Sequence, residues 1–154
     1  MLFRSSVAMG LAPDRATAAR IASVPKVAMV AAPKPAPTLS GRLLAANDMS
    51  ILVRMISIGQ PHRAVPITGA TCLAIATRIE GSIPNALAAD RDGPIVIAHP
   101  SGVVMVDARV DHARDAAKAH AEFGAVYRTM RKLFEGYVYY RPKAAKLAAA
   151  IAAE

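Results

Sequence analysis

This 154-residue chain has no tryptophan and a single cysteine, and only 5% of its residues are aromatic. Each scarcity excludes something. One cysteine, Cys72, cannot build an internal disulfide framework or a thiol-based zinc cluster, which favours a reducing compartment. With three Phe, four Tyr and no Trp, any core must be made of Ala, Val, Ile, Leu and Met. No apolar run approaches the ~18 residues that a membrane-spanning helix needs. Near the N-terminus Pro13, Asp14, Arg15 and Arg20 interrupt what would be the apolar heart of a secretion signal. Glycine-rich phosphate loops, nucleophile elbows and paired-carboxylate motifs are also missing. The expectation is a soluble cytoplasmic domain without metal or cofactor.

What is abundant is aliphatic side chain and positive charge. Apolar residues make up 54% of the chain, enough for one domain with a real core. The formal charge of +8 and a pI near 10.2 raise the question of nucleic acid. The 19 basic residues are nevertheless scattered, with no run of five or six and no aromatic-studded basic strands. Nucleic acid is not an expected partner.

The most informative stretch runs from Gly59 to Gly81. Its second half reads as one helix, with Thr68 as N-cap and Gly81 in the left-handed position just past the end. Ala70, Cys72, Leu73, Ala74, Ile75, Ala76 and Ile79 leave no polar stripe, which predicts a helix buried on all sides. Burying Leu73, Ile75 and Ile79 would contribute about 1.5–3 kcal/mol each. The preceding loop is different in kind: Gln60, His62, Arg63 and Pro66, then the small pair Gly69-Ala70. Free amides opening onto small residues beside two cationic side chains make a natural anion site. Arg63 can fork onto both oxygens of a carboxylate.

Around this stretch, residues 1–23 look helical and break at Pro13. Lys26 to Ala32 and Ser50 to Ile58 read as strands. Ile95 to Ala98 and Val103 to Val106 read as a hairpin through His99-Pro-Ser-Gly102. Asp107 to Gly124 reads as loop or surface helix, and Ala125 to Met130 and Tyr137 to Tyr140 as the last strands. A Lys/Ala tail follows Pro142. Strands around one wholly buried helix imply an α+β fold, a curved mixed sheet wrapped on that helix. Cys72 reads as a small core hydrophobe. His99 and Ser101 flank Pro100 in the hairpin, and the turn explains Pro100, Ser101 and Gly102 without any function. His112 and His120, eight apart, lack the spacing of metal ligands and read as solvated.

Pro25-Lys-Val-Ala-Met-Val, Val53-Arg-Met-Ile-Ser-Ile-Gly with His62, Thr68-Gly-Ala, His99-Pro-Ser-Gly and Leu133-Phe-Glu-Gly-Tyr-Val occur in the order and spacing of the C-terminal half of the PrpF family. From about Ser5 to Pro142 the chain resembles that family, which includes 2-methylaconitate cis-trans isomerase and is closely related to 4-oxalomesaconate tautomerase. The resemblance implies a diaminopimelate-epimerase-like lobe. In that fold two pseudo-symmetric lobes each wrap strands around a helix, and substrate binds between them. With the helical reading of the N-terminus and the Lys/Ala tail, it divides the chain into a helical segment over 1–24, the lobe over 25–142 and a tail over 143–154. The family's proton-transferring Lys and Cys belong to the other lobe, so no catalytic residue is expected here, and the chain reads as a fragment. Lys26 and the stretch from Ser57 to Thr68 match family segments that border the cleft. Ile58 stands where the family more often has Met. The combined expectation is substrate binding by Lys26, Ser57, His62, Arg63, Thr68, Gly69 and Ala70. The ligand would be a small unsaturated di- or tricarboxylate, isomerised without cofactor once a first lobe or separate chain supplies the catalytic groups. The alternative is a non-catalytic basic interaction module.

Overall fold

The computed structural model describes residues 2–21, 25–57, 59–89, 93–115, 117–127 and 131–139. Two short helices open it, α1 (Leu2–Ala8) and α2 (Arg15–Arg20). They are split around Pro13, as the sequence predicts. Asp14 caps α2 by accepting the Thr17 amide at 2.7 Å, and this bond holds its carboxyl below the usual range. The chain then forms β1 (Val27–Ala31), β2 (Ala36–Pro37), β3 (Leu43–Leu44), β4 (Ile51–Ser57) and β5 (Gln60–Pro61). Two helices follow, α3 (Ile67–Arg78) and α4 (Ile83–Leu87), then β6 (Ile95–His99), β7 (Gly102–Asp111) and β8 (His120–Val126).

The main sheet has the order β1-β4-β6-β7-β8, with β5 attached to β4. Its neighbours are antiparallel except β4 and β6, which run parallel with Ile51 opposite Ile97. A parallel pair cannot be joined by a hairpin and needs a long crossover. Here α3 and α4 lie in that crossover, which brings α3 against the sheet. Ile51 and Val53 of β4, Ile95 and Ile97 of β6, and Val106 and Ala108 of β7 meet Ala70, Leu73 and Ala74 of α3 in one core. On the other side Leu52 and Ala98 are covered by Ala36, Leu44 and Met49. Apolar neighbours on both sides explain why β4 reads as a continuous apolar run, and not as an alternating one. The architecture is α+β with a mixed sheet.

β1, β4 and the β6–β7 hairpin fall where their apolar patterns place them. Several other expectations do not hold. α3 starts at Ile67, with Pro66 as N-cap and no side-chain cap, so Thr68 lies inside the first turn. Proline supplies the fixed φ itself, and its carbonyl accepts the Ala70 amide at 2.8 Å. At the other end Ile79 is the C-cap, and Gly81, although left-handed at φ +81°, sits one residue beyond the predicted place, in the turn into α4. Nor is α3 buried all round: Ala70, Leu73, Ala74 and Thr77 are buried, but Cys72 is exposed.

Asp107 to Gly124 is mostly strand. Val106 and Ala108 point inward while Asp107 and Arg109 point outward, an alternation that its Ala-rich, charged composition masks. β8 runs from His120 to Val126, earlier than the predicted Ala125 to Met130, of which residues 128–130 lie outside the described set. Residues 137–139 form no strand and are exposed. Ile58, Tyr140 and the tail over 143–154 lie outside the described residues.

Candidate functional site

The apolar face that α3 does not bury opens onto a groove of about 670 Å³. β1 contributes Ala28 and Val30, β4 contributes Met55, and α3 contributes Thr68, Gly69, Cys72, Leu73 and Ala76. Ile83 and Pro84 of α4, and Lys26 just before β1, complete it. The ladder places Ala28 opposite Met55, and Met55 lies against Gly69, where an added Cβ would stand 2.6 Å from its Sδ and Cε. The register therefore carries Lys26 toward the end of the groove where α3 begins. That end is polar: Lys26, the Thr68 hydroxyl, and the amides of Thr68 and Gly69, which precede the first intrahelical bond. The other end, at Ala76, Ile83 and Pro84, is apolar.

A twelve-residue helix concentrates partial positive charge at its start. Together with Lys26 this makes one end of the groove suited to a carboxylate and the rest suited to hydrocarbon. The structure thus brings together three of the seven predicted residues, Lys26, Thr68 and Gly69. Ala70 is buried beneath them and its amide is committed to Pro66, so the free amides at the groove are those of the two residues before it. Ser57 is buried at the end of β4 and does not line the groove. Arg63 is exposed, also outside the lining, and its carbonyl accepts the Ser101 hydroxyl at 2.8 Å. His62 is half-buried, with Nε2 shielded and without a hydrogen-bond partner, and its backbone amide donates to the Met55 carbonyl at 2.8 Å.

Sequence reasoning missed Met55, Cys72, Ala76, Ile83 and Pro84 as lining. A helix apolar all round looks the same whether its second face meets protein or an open groove. The one available signal was Gly69 amid larger residues, which marks a close approach. Cys72, expected in the core, lines the groove instead.

Behind the site the C-terminal end of α3 is well held. Ser82 Oγ donates to the Ala76 carbonyl at 2.6 Å and caps α4 by accepting the Asn85 amide. Buried Asn85 donates Nδ2 to the Thr77 carbonyl at 2.7 Å. Arg78 donates Nε to the Ala108 carbonyl at 3.2 Å, bonds the Gly93 carbonyl, and lies 3.6 Å from Asp107. His99 is buried, and burial, then the charge of Arg54, holds its pKa below the ordinary value against the Arg63 backbone carbonyl, which favours the charged ring. His112 and His120 are exposed, and no cluster of metal-ligating side chains occurs among the described residues. No helix among the described residues is long and apolar enough to cross a membrane.

Comparison with known proteins adds a family. The chain is 34% identical over 135 residues to the 2-methyl-aconitate isomerase of Shewanella oneidensis, covering 84% of this chain and 32% of that protein. It is 28% identical over 131 residues to the 3-methylitaconate isomerase of Eubacterium barkeri, covering 83% of this chain and 33% of the other. Its fold matches the crystal structure of methylitaconate-delta-isomerase with a TM-score of 0.70 at 22% identity, over 92% of this chain and 39% of that one. The chain thus spans about a third of the length of the curated relatives it matches. The PrpF protein family matches residues 2–141, and the chain belongs to that family.

Proposed function

We propose that residues 25–142 form one diaminopimelate-epimerase-like lobe of a cofactor-independent isomerase or tautomerase acting on unsaturated di- or tricarboxylates such as 2-methylaconitate. The observation that carries this reading is the groove along α3, cationic and amide-rich at one end and apolar along its length. A substrate carboxylate docks at Lys26 and the amides of Thr68 and Gly69, with its carbon chain lying over Cys72 and Ala76. The reaction removes an allylic proton, spreads the electron pair over the allyl system and carboxylate, and returns a proton at the far carbon, so the double bond moves without net oxidation. Charge building on the carboxylate in the transition state is what fixed amides and a cation stabilise best. The groups that move the proton come from outside this chain, in a first lobe or a separate polypeptide.

The test is calorimetric titration of 2-methylaconitate into the full chain and into Lys26→Ala. Wild type should bind, and the variant should bind more weakly by about 1.5–3 kcal/mol, the usual worth of a hydrogen bond to a charged group. Equal binding by both would remove Lys26 from the site, and no binding by wild type would leave the basic-module reading in its place.

A further inference from the structure

The turn between β6 and β7 reaches across to the loop that leads into α3. His99 accepts the Ser101 amide on Nδ1 at 3.2 Å, and Ser101 donates its hydroxyl to the Arg63 carbonyl at 2.8 Å. One residue earlier, the His62 amide donates to the Met55 carbonyl at 2.8 Å. Two consecutive loop residues are therefore pinned, one to β4 and one to the hairpin turn. Three residues on, the Pro66 carbonyl accepts the Ala70 amide, the first intrahelical bond of α3.

We propose that His99 and Ser101 are positioning residues: His99 aligns Ser101, Ser101 holds the Arg63 carbonyl, and the pair fixes where the amides that open α3 stand at the groove. This gives the buried histidine a reason beyond turn chemistry, and it rests on the groove reading only for its purpose.

The chemistry of the contact dictates a protonation state. A ring that accepts on Nδ1 is neutral and carries its proton on Nε2. A second proton would set an N–H on Nδ1 against the N–H of Ser101 and release the alignment. Among the described residues, Arg54 from β4 and the backbone of Arg63 from the loop act on the ring. Burial and Arg54 outweigh Arg63 and hold the pKa down. The clip is therefore intact at neutral pH and opens on acidification.

The experiment is nitrogen-resolved NMR on the full chain without ligand, reading the His99 tautomer and the hydrogen exchange of Ala70 relative to Ile97 in β6. We expect the Nε2–H tautomer. Ser101→Ala should quicken Ala70 exchange about two- to tenfold, the range for one lost neutral hydrogen bond, and leave Ile97 unchanged. In wild type the intrinsic-rate-corrected protection of Ala70 should fall as His99 protonates. His99→Asn, whose side-chain oxygen accepts in place of Nδ1 and does not titrate, should keep the protection and lose the pH dependence. An Nδ1–H tautomer, Ala70 exchange indifferent to Ser101→Ala, or a pH dependence that survives in His99→Asn overturns the proposal. With no carboxylate in the sample, such a failure leaves the groove reading standing, and a failed 2-methylaconitate titration leaves the clip standing.

Discussion

Gly69 and Gly124 both stand where a methyl group would collide, but with different neighbours. At Gly69 the added carbon meets the thioether end of Met55 at 2.6 Å, a side chain with three rotatable bonds that can swing aside. At Gly124 it meets Thr71 Cγ2 at 2.3 Å, on a β-branched side chain stiff at χ1 whose hydroxyl is bonded to the Ile67 carbonyl. Gly69→Ala should therefore stay within about 1 kcal/mol of wild type, since the helix propensity gained offsets part of the overpacking. Gly124→Ala should cost about 1–3 kcal/mol. Urea denaturation of both variants decides it, and equal losses would mean that neighbour flexibility does not control the outcome. Cys72 offers a second check: its exposed thiol should react fully with a thiol reagent in the native chain, where a core thiol would be protected. From sequence, the small size at position 69 was legible. Its cause was not, because Met55 lies on another element and only the fold brings it there.

At the scale of elements, the C-terminal end of α3 depends on α4. Buried Asn85 is the donor to the Thr77 carbonyl, so Asn85→Ala should cost about 1–3 kcal/mol by leaving a buried acceptor unpaired. Exchange of the neighbouring α3 amides should rise with it, and unchanged α3 protection would show that the bond does not matter. The apolar runs of β1 and β4 and the turn at Pro100 identified their elements in the sequence because short-range chemistry decides them. The β7–β8 pairing escaped because its residues are Ala-rich and charged. Their alternation acquires meaning only when one face packs on α3. The N-cap was misplaced for a similar reason: a Thr hydroxyl is a common cap, but Pro66 already fixes the backbone where the helix begins.

For the whole molecule, one consequence follows from burial and one from exposure. Burial, then the charge of Arg54, holds the His99 pKa below its ordinary value in the folded state, while an unfolded imidazole takes up a proton near pH 6.5. As pH falls through about 6.5 the unfolded chain takes up a proton more readily than the folded one, so stability is full at neutral pH and declines on acidification. Urea midpoints at pH 7.5 and pH 5.5 should show that decline in wild type and a smaller one in His99→Asn. Residues 131–139 expose Leu133, Phe134, Tyr137, Val138 and Tyr139, each between 82% and 96% accessible. Exposed large apolar side chains gathered in one short stretch are the kind of surface that marks an association site. The chain should bind apolar dyes and self-associate, and a clean monomer by light scattering would contradict this. The fold class was legible from the alternation of apolar runs with one apolar helix. The groove was not, because its walls come from four separate stretches that meet only when the β4–β6 crossover closes.

The reading of α3 as the wall of a carboxylate groove is tested most directly by mapping where an unsaturated polycarboxylate touches the chain. Amide chemical shifts should be followed as 2-methylaconitate is added to the 154-residue chain at neutral pH. The groove predicts saturable shifts at Lys26, Ala28, Thr68, Gly69 and Cys72, with the largest at the start of α3. Shifts absent from these residues, or concentrated on the sheet face covered by Ala36, Leu44 and Met49, would contradict it.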